Sequence, residues 1–143
     1  MLPALTIGNV TVSEGNTGTK TVAVTATLSA PGTTMATVAY TMTNGTATAG
    51  SDYQAASGTL TFAPGETSKT INITILGDGL WEADETFNVV LSSPVGVTLA
   101  GNTGAVTIQN DDAAPLLTVT ATDATGAEAA QDPIVFTVNR AAN

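Results

Sequence analysis

Thr21-Val22-Ala23-Val24-Thr25-Ala26-Thr27-Leu28 and, further along, Thr70-Ile71-Asn72-Ile73-Thr74-Ile75 carry an apolar residue at every second position. A period of two puts Val22, Val24, Ala26, Leu28, Ile71, Ile73 and Ile75 on one face of pleated strands and leaves Thr, Asn and Ala on the other. The same alternation elsewhere predicts seven strands at about residues 5–12, 20–28, 34–43, 58–62, 69–76, 86–92 and 104–109. Pro31-Gly32, Asn44-Gly45, Ala49-Gly50-Ser51, Pro64-Gly65 and Ser92-Ser93-Pro94 separate them with residues suited to turns. Phe62, Phe87, Val89, Leu91, Val106 and Ile108 extend the inward layer, over which two sheets about 10 Å apart would close. The expected fold is all-β, a seven-stranded Greek-key sandwich.

Composition agrees with that reading and removes many functions. Of 143 residues, 43% are hydrophobic and 10% charged, enough for a buried core. Threonine fills 28 positions, which favours half-buried strands over exposed helices. With a net charge of −9 and only Lys20, Lys69 and Arg140 basic, the chain lacks the positive surface that phosphate backbones require, so no nucleic-acid partner is expected. The absence of Cys and His removes disulfides, thiolate nucleophiles, Cys-ligated zinc and the commonest general base. A carboxylate-pair glycosidase would need a sugar cleft lined by aromatics, and these make up 4% of the chain, so no enzyme is expected. No apolar run reaches the roughly 18 residues of a spanning helix, and Met1-Leu2-Pro3 does not begin a signal peptide. The chain reads as a soluble piece of a longer protein.

The acids are grouped. Eight of the nine in the first 112 positions are Glu14, Asp52, Asp78, Glu82, Asp84, Glu85, Asp111 and Asp112, each at the edge of a strand-like run. Carboxylates about 5 Å apart repel by about 3 kcal/mol per pair at an effective dielectric near 20, a cost that a bound cation reverses. Calcium takes six to eight oxygens gathered from several segments, so the grouping predicts a divalent-cation site. The spacing in Asp78-Gly79-Leu80-Trp81-Glu82 is not that of an EF-hand loop.

After Asp112 the pattern restarts. Residues 113–115, Ala-Ala-Pro, read as a linker, and residues 116–143 as the incomplete start of a second repeat. Setting Glu128 on Glu14 aligns Phe136 with Val22 and Val138 with Val24, while Leu117 and Val119 answer Leu5 and Ile7. Strands of such a fragment lack sheet partners and are expected to pair with an exposed edge or with another copy of the chain.

The ordered set Gly45-Thr46-Ala47-Thr48-Ala49-Gly50-Ser51-Asp52-Tyr53, Gly58-Thr59-Leu60-Thr61-Phe62-Ala63-Pro64-Gly65-Glu66-Thr67, Glu82-Ala83-Asp84-Glu85-Thr86-Phe87 and Thr107-Ile108-Gln109-Asn110-Asp111-Asp112 resembles the Calx-β domain. The resemblance covers about residues 4–112 and is carried by the combination more than by any one motif. The family occurs in sodium-calcium exchangers, in an integrin tail and as tandem arrays in bacterial surface proteins. The resemblance implies an immunoglobulin-like sandwich with Ca²⁺ in the loops at one end. Matched position by position, it implies that Glu14, Asp52, Asp78, Glu82, Glu85, Asp111 and Asp112 are carboxylate ligands and that Leu80 supplies a backbone carbonyl. The chain departs from the calcium-sensing pattern at Gly77, Gly79 and Asn110, where an unbroken acidic run would stand. Fewer carboxylates imply one or two ions held at roughly 10⁻⁴–10⁻³ M, the range of extracellular modules.

Other residues are read as structural. Glu66 is expected to be a turn residue, Asp84 to lie outside the ligand set, and Trp81 to cap the end of the sandwich. The triplets at Asn9, Asn44 and Asn72 fit the glycosylation pattern, which arises readily by chance in a Thr-rich chain. The expected function is a calcium-binding, adhesive module of a multi-repeat extracellular or cell-surface protein, bacterial in origin, in which Ca²⁺ stiffens the junction with the adjacent repeat. A protein or cell-surface ligand would be its partner. The alternatives are a regulatory Ca²⁺ sensor attached to a membrane transport protein and a spacer with degenerate sites.

Overall fold

The alternating stretches are strands in the computed structural model, which describes residues 1–121 and 135–140. The first unit, Met1–Asp112, contains β1 (Ala4–Ile7), β2 (Val10–Ser13), β3 (Gly18–Leu28), β4 (Ala36–Asn44), β5 (Ser57–Phe62), β6 (Ser68–Gly77), β7 (Glu85–Val95), β8 (Thr98–Leu99) and β9 (Thr103–Gln109). One sheet has the order β6-β3-β1-β8 and the other β2-β9-β7-β4-β5. β3 and β6 pair antiparallel, with Val22 opposite Ile73 and Val24 opposite Ile71, so both apolar rows fall on one side. Those residues are buried together with Leu5, Val38, Phe62, Phe87, Val89, Leu91, Val106 and Ile108, the core of an all-β sandwich. Among the described residues there is no helix.

The expected strand at 5–12 is two strands in different sheets. β1 pairs antiparallel with β3, whereas β2 pairs parallel with β9. The switch occurs at Gly8-Asn9, where Gly8 N donates to Thr25 O at 2.9 Å and Asn9 Oδ1 accepts from Ala105 N at 2.8 Å. These two bonds replace ladder bonds as the chain crosses between layers. The crossing sets up the site, because β2 now runs beside β9 and ends with Ser13 opposite Gln109.

Tyr53, Ala47 and Val97 are also buried, although they lie between the expected strands. Tyr53 stacks on Phe87 with ring centroids 3.8 Å apart, and its hydroxyl donates to Asn44 Oδ1 at 2.6 Å. An aromatic ring locked in the core in this way anchors the 45–56 loop. Asp52, next in the chain, is thereby held at the rim.

The second unit, Ala113–Asn143, contains β10 (Leu117–Ala121) and β11 (Phe136–Arg140), an antiparallel pair. Val119 faces Val138, whereas Ile7 faces Ala26 in the first unit, so the pairing is two residues out of step with the alignment drawn from sequence. An even slip keeps Leu117, Val119, Phe136 and Val138 on one face. All four are more than half exposed. Glu128, which anchors the restart, lies outside the described residues.

Candidate metal centre

Four connections meet at one end of the sandwich because their strands do. Glu14 follows β2 and its N–H donates to Gln109 O at 2.9 Å, which places it beside the end of β9. Gly18 opposes Gly77, bringing the 14–17 turn against the end of β6. Glu85 opens β7 opposite Ile108, and Leu76 N donates to Asp52 O at 2.9 Å. Residues 14, 52, 78–85 and 110–112 are thus gathered from parts of the sequence up to 98 positions apart.

Carboxylate oxygens of Asp52, Glu82 and Glu85 lie within 4.8 Å of one another. Asp52 Oδ2 is aimed by the Thr48 N–H, which donates to it at 2.6 Å. Burial first, and then the Asp52 charge and a hydrogen bond to it, push the Glu85 carboxyl up to about 7. In the metal-free chain Glu85 therefore keeps its proton to nearly neutral pH. Glu82 is also raised, by burial and by the charges of Asp52, Asp78 and Asp112. Glu14 is only 6% exposed. Its own burial and the charges of Asp78 and Glu82 raise its pKa, while a backbone hydrogen bond at Asp78 pulls the other way.

The remaining acids are held by the backbone of neighbouring loops. Asp78 Oδ1 accepts from Leu80 N at 2.7 Å, Asp111 Oδ1 from Gly15 N at 2.8 Å, and Asp112 Oδ1 from Asn16 Nδ2. Asp112 Oδ2 is buried with no hydrogen-bond partner. A desolvated carboxylate oxygen without a donor is costly, and a cation satisfies it. Among the described residues the only ion pair joins Lys69 to Glu66, 2.9 Å apart and away from the cluster. The Lys20 ammonium donates to Ser13 O at 2.8 Å and Ser13 Oγ at 2.7 Å. An all-oxygen, anionic and uncompensated donor set is the chemistry that suits a hard divalent ion, Ca²⁺ above all.

The tight triad is Asp52, Glu82 and Glu85, with Glu14, Asp78 and Asp112 close enough to shift its protons. Asp111 is near through its Gly15 bond. Leu80 sits in the 78–84 loop with a 58% exposed side chain. Asp84 points elsewhere and its Oδ1 accepts from Asn110 N at 3.1 Å. Glu66 is a turn residue whose carboxylate accepts from Ala63 N at 2.7 Å and pairs with Lys69, the latter bond holding its pKa below the usual carboxylate value. Trp81, in the same loop as Leu80, is 50% exposed. The backbone on either side of it is held, Leu80 N donating to Asp78 Oδ1 and Glu82 N to Asn110 Oδ1.

The three positions that depart from an acidic run are not equivalent. A Cβ at Gly77 would stand 2.1 Å from Gly15 O and 3.1 Å from Glu14 O, so no side chain fits there while the 14–16 turn stays in place. At Gly79 the nearest atom would be Asn16 O, 3.9 Å away, so a Cβ is accommodated there. Asn110 accepts from Glu82 N at 3.2 Å and donates to Asp112 O at 2.9 Å, so its amide is in use.

Comparison with known proteins gives this arrangement its family. The Calx-beta domain description matches residues 5–114, which contain every carboxylate of the cluster. The chain belongs to the Calx-beta family. Sodium/calcium exchanger 1 of Rattus norvegicus is 37% identical over a match spanning 52% of this chain and 10% of the exchanger, and exchanger 2 of Homo sapiens is 50% identical over 38% and 6%. The chain therefore spans about a tenth or less of these relatives. Among solved structures, the apo form of the Calx CBD1 domain superposes with a TM-score of 0.71 and 30% identity, covering 78% of this chain and all of that one. CBD12 from CALX1.2 gives 0.70 and 31% over 76% of this chain and 46% of that one. Their likeness makes this unit an immunoglobulin-like Calx-beta sandwich.

Proposed function

We propose that this Calx-beta unit is a calcium-binding module with no catalytic role, and that Asp52, Glu82 and Glu85 hold the ion with Glu14, Asp78 and Asp112 around them. The observation that carries the proposal is the convergence of those carboxylates on one end of the sandwich without a single ion-pair partner among the described residues. The sodium/calcium exchangers are relatives, and another similar solved structure is the calcium binding domain CBD12 of CALX1.1. That company favours a regulatory role, a Ca²⁺-responsive domain attached to a transport protein, over the adhesive role expected from sequence.

The adhesive reading keeps one specific support. The first unit ends at Asp112, whose side chain is tied to Asn16, and the second begins at Ala113. An ion near Asp112 would stiffen the segment leading to the next unit, whether the whole is an extracellular array or a sensor pair. At about 1 mM Ca²⁺ and a Kd of about 0.1 mM, binding contributes about 1.4 kcal/mol, enough to order a hinge. Calorimetric titration separates the readings: submicromolar affinity supports the sensor and submillimolar affinity the array. Absence of binding leaves a spacer.

A further inference from the structure

We infer that Asn110 is a positioning residue, a neutral strut that keeps the carboxylate cluster assembled when no cation is bound; the inference rests on the calcium-binding reading above. Asn110 follows β9 and is bonded three ways. Its Oδ1 accepts from Glu82 N at 3.2 Å, its Nδ2 donates to Asp112 O at 2.9 Å, and its own N–H donates to Asp84 Oδ1 at 3.1 Å. One residue thus joins the loop that supplies Asp78 and Glu82 to the segment that supplies Asp111 and Asp112.

Those two segments carry like charges and, among the described residues, form no ion pair with a cation of the protein, so they repel unless something neutral ties them. An amide suits the position because it accepts and donates at once, whereas a carboxylate only accepts. Aspartate at 110 would face the Asp112 carbonyl with an anion and add one more charge to the cluster. The chain thereby has one potential ligand fewer and a site that stands ready without metal. A ready site loses less order on binding. Asp84 belongs to the same device, which explains a carboxylate near the cluster that does not point into it.

The test compares wild type with Asn110→Asp and Asn110→Ala by melting in EDTA and in 5–10 mM CaCl₂, roughly five- to tenfold above the top of the weak-module range, with hydrogen exchange at the Glu82 amide in EDTA. Both variants are expected to melt about 5 °C lower in EDTA and to exchange the Glu82 amide faster. In Ca²⁺, Asn110→Asp is expected to return to the wild-type midpoint because the cation neutralises the added charge, and Asn110→Ala is not. A merely structural contact would lower both conditions equally in both variants, which overturns the inference. So does wild-type melting of either variant in EDTA, even with calcium binding intact. A wild type that ignores Ca²⁺ overturns the calcium reading itself, and with it any part Asn110 plays in it.

Discussion

Replacing Glu85 with glutamine should act in opposite directions with and without calcium. The Glu85 carboxyl is pushed from 4.5 up to about 7, first by burial and then by Asp52. The folded chain thus holds this proton more tightly than the unfolded chain does. The associated stability is complete below about pH 4.5 and disappears as pH rises through about 7. At about 1.4 kcal/mol per pH unit the gap corresponds to about 3 kcal/mol, and partial exposure of the group reduces it to about 1–2 kcal/mol. Glu85→Gln is neutral at every pH and its amide can still donate to Asp52. In EDTA at pH 8 it should melt about 5 °C or more above wild type, and at pH 4.5 the two should coincide. With calcium the order reverses, because the variant lacks one carboxylate of the triad and should bind about tenfold more weakly. Scanning calorimetry at the two pH values, with EDTA and with Ca²⁺, reads both effects. A variant no more stable than wild type in EDTA at pH 8 would refute the raised affinity of Glu85 for its proton in the metal-free site.

Three further outcomes follow from the same geometry. Gly79→Asp should tighten Ca²⁺ binding, since the position is open, whereas Gly77→Ala should cost about 1–3 kcal/mol and lower the melting midpoint with or without metal; titration and melting of the two proteins check this. Calcium binding should release protons below about pH 7, so its heat should vary with the ionisation enthalpy of the buffer at pH 6 and scarcely at pH 8.5. The exposed face of Leu117, Val119, Phe136 and Val138 should drive association of the full chain, and removal of residues 113–143 should leave a monomer by light scattering; a full chain that is itself monomeric contradicts this.

Much of the fold could be read from residues alone because burial writes itself into strands as a period of two. Val22 to Leu28 and Ile71 to Ile75 alternate without a break, and their registers follow. The sheet switch at Gly8-Asn9 was not legible, since Leu5, Ile7, Val10 and Val12 keep apolar character across it and only the partners Thr25 and Ala105 reveal the crossing. Tyr53 was hidden for a related reason: it lies among turn residues, and its place in the core depends on Phe87 and Asn44, both distant in sequence. The cluster was legible as charge, because uncompensated acids at strand ends are conspicuous in a chain with three bases. What each neutral neighbour does was not. Gly77, Gly79 and Asn110 look alike as absent carboxylates, yet one is excluded by a backbone oxygen, one is open and one is a strut. Those distinctions are set by close approaches between segments that composition and spacing do not encode.

The most direct test of the calcium account is a crystal structure of the chain grown with Ca²⁺. The account predicts an ion bridging Asp52, Glu82 and Glu85 with oxygen distances of about 2.3–2.6 Å, and with Asp112 Oδ2 turned to it or to a second ion. Water alone between those three carboxylates at saturating Ca²⁺, or an ion bound away from them, would contradict it.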